Sequence, residues 1–330
     1  MRVARLHGAG DFRLHDEPMP AVSAGEELVR VTAVGICGSD LHWYTEGGIG
    51  DARLDHRPLV LGHEMAGVIE GGERTGQRVA IDPALPCEQC AQCRSGDVNL
   101  CPTIRFSGHG EVDGGLREYL AWPADRLHPL PDGLGDSDGA MLEPLGVALH
   151  AVDLAHLRVG MDVIVLGCGP IGLLVIQLLR VAGAASVTAV DPVDVRRAAA
   201  HRSGADHVAA GVDAAGPGQG FDLAFEATNS GWAAQDAMDA VRPGARVVLA
   251  GIPDGDEITF RASTARRKGL TLVLSRRMKE TYPRATRLVA AGRVDVSSVV
   301  TDHLALDRVD EAFATAAARE GLKVMVHPTG

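Results

Sequence analysis

An apolar run suited to a strand, Val163-Ile164-Val165-Leu166, leads into Gly167-Cys168-Gly169-Pro170-Ile171-Gly172, and an apolar stretch suited to a helix follows from Ile171 to Ala182. That succession of strand, glycine turn and helix constrains the fold more than any other feature of the chain. Gly167 permits the tight turn, Gly169 lets the backbone approach a pyrophosphate, and Gly172 allows close helix–strand packing, with the helix N-terminus facing the phosphates. The next strand-like run, Val187-Thr188-Ala189-Val190, ends at Asp191. A carboxylate about 20 residues beyond the last glycine accepts hydrogen bonds from ribose hydroxyls and repels a 2′-phosphate. The expected cofactor site is therefore Gly167, Gly169, Pro170, Ile171, Gly172, Asp191 and Arg196, with NAD favoured over NADP. Arg196 and Arg197 pull the other way, since an arginine near the ribose accommodates phosphate. A glycine turn in some other α/β protein is the competing reading, and the acid in register with the turn speaks against it.

The pattern around this turn is an alternation of strand and helix. Phe221–Phe225, Arg246–Leu249 and Leu270–Leu274 read as further strands, and Asp194–Arg202 and Ala233–Val241 as helices. Continuous apolar strands separated by helices describe a parallel sheet covered on both faces. The first part of the chain reads differently. Leu28–Val34, Met65–Ile69 and Arg78–Ile81 are short strand-like runs between turns, with Val60-Leu61 leading into a turn at Gly62-His63-Glu64. A helix is expected from Glu143 to Leu157, with Pro144 in its first turn, and a surface loop over 211–220. The fold class is thus α/β in two parts, a β-rich region and a doubly wound parallel sheet, as 330 residues lead one to expect.

Cys87, Cys90, Cys93 and Cys101 crowd one loop-like stretch, CEQCAQCRSGDVNLC. Four thiolates at such spacing enclose a tetrahedral zinc with no open position, which is a structural site. Cys37 in GICGSD and His63-Glu64 in LGHE supply a thiolate, an imidazole and a carboxylate; three protein ligands leave a position for water or substrate, as a catalytic zinc requires. Judged singly these residues have plainer readings: a small buried cysteine, a solvated histidine, a surface carboxylate. Cys168, inside the glycine turn, reads as a small buried residue.

A formal charge of −11 repels phosphate backbones and anionic membrane surfaces, so nucleic acid and membrane are not expected as partners. A zinc-ribbon module would also need a basic patch with interleaved aromatics, and aromatic residues make up only 4% of the chain. The stretch Val163 to Leu179 is broken by three glycines and a proline, which argues against a membrane span. No apolar run follows the basic residues at the N-terminus, so no secretory leader and a cytoplasmic location are expected. Six cysteines in such a chain favour metal ligation over disulfides.

The stretches GICGSDLHWY, PLVLGHEMAG, the cysteine cluster, EPLGVALHA, VLGCGPIG and GLKVMV together make the chain resemble the zinc-dependent medium-chain dehydrogenases over nearly its whole length. It is most similar to their polyol branch of sorbitol, iditol, xylitol and idonate dehydrogenases. The resemblance implies a GroES-like catalytic domain over 1–144 and 283–330, a Rossmann NAD-binding domain over 145–282, and an active site in the cleft between them. It implies that Cys37 and His63 bind the catalytic zinc, that Glu64 is a further ligand, and that Glu143 reaches the metal directly or through its water. For Glu143 the competing reading is a helix-capping carboxylate. Ser39 and His42 match positions that contact the alcohol or relay its proton, while Trp43, Phe106 and Arg277 match the substrate pocket. Arg277 is equally well read as a solvated arginine.

The implied reaction passes a hydride from a secondary alcohol of a polyol or sugar acid to NAD, in an enzyme with one catalytic and one structural zinc per chain. The branch implies a homodimer or homotetramer. The segment Gly71–Thr75 and the loop 211–220 are shorter than the family's, and Trp43-Tyr44 reverses the order found in sorbitol enzymes. Two other readings stay open: an enzyme of the same family acting on threonine or a simple secondary alcohol, and a non-catalytic zinc protein with a vestigial site.

Overall fold

A computed structural model of the chain describes residues 1–54, 57–214 and 220–329. The chain divides into two units: Met1–Glu143 with Tyr282–Gly292 and Val296–Gly330, and Pro144–Thr281 with Arg293–Asp295. The assignment of Arg293–Asp295 to the second unit departs from the expected continuous C-terminal tail. Its physical reason is a reciprocal pair of bonds, in which Gln177 Nε2 donates to Asp295 O at 2.9 Å and Asp295 N donates to Gln177 Oε1 at 2.7 Å.

In the first unit, strands rich in Val, Ile and Ala form a seven-stranded sheet. Its path runs Leu127–Pro129, Arg78–Ile81, Glu64–Glu70, Glu26–Gly35, Lys323–His327 and Val300–Ala305, with Tyr119–Pro123 pairing beside Glu26–Gly35. The pairings are antiparallel except that of the last two path strands. Val29, Val31, Ile69, Val79 and Ile81 are wholly buried and form part of the core. Two register pairs matter for the site: Gly35 faces Glu64 on one side and Met325 on the other. Strand register thereby places the C-terminal strand one strand away from the LGHE segment, across Gly35.

The second unit is a six-stranded parallel sheet in the order His207–Ala209, Ser186–Val190, Asp162–Leu166, Phe221–Glu226, Val241–Leu249 and Thr271–Leu274. Numbered along the chain this is 3-2-1-4-5-6, the doubly wound dinucleotide-binding order, and a topological switch point lies beside the strand that ends in the glycine turn. His207–Ala209 was not expected as a strand: it has three residues, two of them exposed, and pairs only at the sheet edge.

The helix expected from Glu143 instead spans Asp136–Ala155, with Pro144 inside it. Its start is set by an acidic first turn, where Asp138 accepts a hydrogen bond from Gly135 N at 2.7 Å. Ala140, Met141, Leu142 and Leu145 are fully buried, and that packing offsets the backbone bond an internal proline removes. The expected loop at 211–220 contains a 3₁₀ turn at Val212–Ala214, and 215–219 lie outside the described residues. No helix among the described residues is long and apolar enough to cross a membrane.

Candidate active site and metal centres

Cys37 ends the Glu26–Gly35 strand region and caps the helix Gly38–Glu46. His63 and Glu64 stand where the LGHE segment opens the strand Glu64–Glu70, so Glu64 lies in the sheet and not in a free turn. The structure brings the three together: one ligand atom from each of Cys37, His63 and Glu64 lies within 4.8 Å of the others. Cys37 is half-buried, while His63 and Glu64 are buried. A thiolate, an imidazole and a carboxylate so arranged are a donor set that suits a divalent zinc with an open position.

Asp40, which the sequence reading passed over, organises this trio. Its Oδ2 accepts from Cys37 N at 2.9 Å, its Oδ1 accepts from Gly62 N at 3.4 Å, and Oδ1 lies 3.3 Å from His63 Nδ1. With Nδ1 turned to a carboxylate, the ring offers Nε2 outward. Burial works against a charged His63 ring, and the negative charges of Asp40 and Cys37 outweigh it, so its pKa stands well above the ordinary value. A signal for Asp40 existed in the sequence, as it is the third helical residue after Cys37, where a carboxylate reaches back to the capping amide.

Glu143, on the helix Asp136–Ala155, is 4% exposed. It is not one of the trio, but the charges of His63 and Glu64 act on it. Burial, offset by His63 and augmented by Glu64, moves its carboxyl up to about 7. A second residue that the sequence reading passed over is Lys323, 3% exposed, whose Nζ donates to both oxygens of Glu64.

Ser39 and His42 lie three apart on the helix Gly38–Glu46, a spacing that places them on one face. His42 is buried, with Nδ1 2.9 Å from Glu46 Oε1. Phe106 is buried with its ring centroid 5.3 Å from that of His63. Trp43, expected at the substrate, packs into the hydrophobic core at 2% exposure, edge-on to His109. An indole is large enough to serve as a core residue, and this placement gives Trp43 a structural role. Arg277 lies beyond the strand Thr271–Leu274 in the second unit, half-buried, with φ of 54°.

Four of the other cysteine sulfurs form a separate cluster. Those of Cys87, Cys90, Cys93 and Cys101 all lie within 4.8 Å of one another, and sulfurs around a tetrahedral zinc stand about 3.8 Å apart. Backbone amides donate to two of them, Cys87 N to Cys101 Sγ and Cys93 N to Cys90 Sγ, each at 3.4 Å. Backbone amides lower the Cys87 pKa to about 6, whereas burial and the neighbouring Cys90 sulfur raise that of Cys93 to about 12, so the spacing of the four sulfurs carries the assignment. The cluster therefore fits a structural zinc.

In the second unit Gly167 has φ of 91°, and a Cβ there would meet Ala227 O at 2.6 Å. A Cβ at Gly172 would lie 1.8 Å from Gly167 O, whereas one at Gly169 would meet nothing within 4 Å. Two glycines thus close the turn, and the third leaves open space over the N-terminus of the helix Pro170–Ala182, where Pro170 takes the first position and Ile171 is half-buried. That is the cradle a pyrophosphate fills. Asp191 follows the strand Ser186–Val190; its Oδ2 accepts from Cys168 N and its Oδ1 from Val193 N, both at 2.9 Å. Arg196 is half-buried in the helix Asp194–Arg202. Cys168 is buried, and burial raises its thiol to about 12, in keeping with an inert residue.

Comparison with known proteins adds to this geometry. Residues 23–132 match the family model of the alcohol dehydrogenase GroES-like domain, and residues 170–291 match that of the zinc-binding dehydrogenases. Sorbitol dehydrogenase of Bacillus subtilis is 32% identical, over 99% of this chain and 97% of that protein. The crystal structure of L-idonate 5-dehydrogenase from Escherichia coli superposes with a TM-score of 0.92 at 28% identity, covering 99% of this chain and 97% of that one. A Sinorhizobium meliloti protein solved with NADP bound superposes with a TM-score of 0.90 at 30% identity, covering 99% of each chain.

Proposed function

The chain belongs to the zinc-binding, GroES-like alcohol dehydrogenase family, and from that membership we propose that it oxidises a secondary alcohol of a polyol or sugar acid to the ketone with NAD as acceptor. The observation that carries this reading is the convergence of Cys37, His63 and Glu64 within 4.8 Å. Zinc bound there supplies a Lewis acid toward the alcohol, and NAD supplies the hydride acceptor.

The chain's own residues would act as follows. Cys37, His63 and Glu64 hold the metal, and Asp40 keeps Cys37 and His63 in place through its two oxygens. Ser39 contacts the alcohol hydroxyl. His42, with Nδ1 on Glu46, passes the proton toward solvent, since Glu46 is about half exposed. Glu143, a buried carboxyl under the charges of His63 and Glu64, would reach the metal directly or through its water. Phe106 closes the apolar side of His63. Arg277 would hydrogen-bond a further hydroxyl of the substrate.

Asp191 supports NAD: a carboxylate at this position binds ribose hydroxyls and repels a 2′-phosphate. The four-cysteine cluster would hold a second, structural zinc. Family resemblance supports a homodimer or homotetramer, which light scattering would measure.

The experiment is NADH formation with sorbitol, xylitol, iditol, galactitol, idonate, threonine and simple secondary alcohols, with and without a zinc chelator. Chelator-sensitive turnover of a polyol or sugar acid is expected. Turnover of threonine alone, or of simple alcohols alone, would move the assignment to another branch.

A further inference from the structure

Lys323 opens the C-terminal strand Lys323–His327 and is 3% exposed. An ammonium has three protons to donate, and here all three are engaged: Glu64 Oε1 at 2.6 Å, Glu64 Oε2 at 2.7 Å and Ile36 O at 2.9 Å. Strand register explains how residues 259 apart in sequence meet. Gly35 pairs with Glu64 and with Met325, and Lys323 shares a strand face with Met325. A Cβ at Gly35 would lie 2.0 Å from Glu64 Oε2. The missing side chain thus leaves the space in which carboxylate and ammonium touch.

Glu64 is also one of the trio with Cys37 and His63. A cation drawn to that trio meets a carboxylate already bonded through both oxygens to a buried ammonium. We infer that Lys323 is a positioning residue that competes with the metal for Glu64 and so sets how readily the Cys37–His63–Glu64 centre exchanges its ion. The inference rests on reading that trio as metal ligands.

Two effects of removing the ammonium have the same sign. A positive charge leaves the neighbourhood of a divalent cation. In the ion-free protein a buried carboxylate is left unpaired, which is strongly unfavourable, and ion binding relieves it. Both favour the ion-bound state, so loss of Lys323 should tighten metal retention.

The test loads wild type, Lys323→Met and Cys37→Ser with zinc and follows release to excess coloured chelator at constant pH, with melting temperature measured with and without zinc. Lys323→Met should slow release of one ion by about tenfold or more, the scale on which partners of metal ligands act. It should also enlarge the rise in melting temperature that zinc produces. Lys323→Gln, which keeps a donor to Glu64 without the charge, should slow release likewise and serves if the methionine variant does not fold. Faster release or lower occupancy would overturn the inference, because Lys323 would then be aiming Glu64 at the metal. An unchanged rate, with Cys37→Ser losing one ion, would overturn it and leave the metal site standing. Retention of both ions by Cys37→Ser would instead refute the metal site itself.

Discussion

Asp40 Oδ1 lies 3.3 Å from His63 Nδ1, and the same carboxylate accepts the backbone amide of Cys37 through Oδ2. One side chain therefore fixes the direction of two residues of the proposed metal site. All its partners are donors, so an amide at this position would set its NH₂ against one of them. Asp40→Asn should cost ~1–3 kcal/mol of stability and weaken zinc binding at the trio by roughly 10–100-fold. Zinc titration with a competing chelator checks it, and an unchanged affinity would show that Asp40 only supports the fold.

The glycine turn separates folding from cofactor binding. Gly172→Ala would put a Cβ 1.8 Å from Gly167 O, and such overpacking should destabilise by at least ~1–3 kcal/mol. Gly169→Ala has nothing within 4 Å to meet. It should melt like the wild type and yet bind dinucleotide more weakly, because the added methyl occupies the phosphate cradle. Calorimetric titration with NADH beside a melting curve reads both.

Asp191 should decide the cofactor. Hydrogen bonds to a charged group are worth ~1.5–3 kcal/mol, so Asp191→Ala should raise the KM for NAD by roughly ten- to a hundredfold and narrow the preference over NADP. An unchanged ratio would remove the ribose role.

His128 should make stability depend on acid. Its ring stacks on Tyr282 with centroids 4.3 Å apart and planes 10° from parallel. Burial, helped by the charge of Arg126, lowers its pKa to about 4. Between the ordinary histidine value of about 6.5 and about 4, the unfolded chain binds a proton that the folded chain refuses. Stability contributed by neutral His128 is thus complete above the upper value and is lost as pH falls toward the lower, by at most ~3 kcal/mol. His128→Phe keeps the stack and should flatten this part of the pH profile in urea denaturation. An identical profile in the variant would place the acid sensitivity elsewhere.

Much of the fold and site is legible along the chain, because local patterns carry it. The glycine turn needs only neighbouring residues, and the four cysteines sit within one loop. Cys37, His63 and Glu64 are harder, since nothing in their spacing says that separate segments converge, and there the family resemblance carried the expectation. Lys323 escaped because its partner is reached only through the pairing of three strands. Asp40 escaped because an acid in a helix's first turn has an ordinary capping role. Trp43 was placed at the substrate by family resemblance alone, and its ring packs into the core. Pro144 misled the helix start, as burial of the preceding turn outweighs its local preference.

The central claim is that Cys37, His63 and Glu64 hold a catalytic metal distinct from that of the cysteine cluster. Metal content per chain should be measured in wild type, Cys37→Ser and Cys90→Ser, together with NAD-linked polyol oxidation. The expected result is two zinc ions in the wild type. Cys37→Ser should retain one ion, stay folded and lose activity, while Cys90→Ser should lose the other ion and melt at lower temperature. Full activity and two ions in Cys37→Ser would contradict the account.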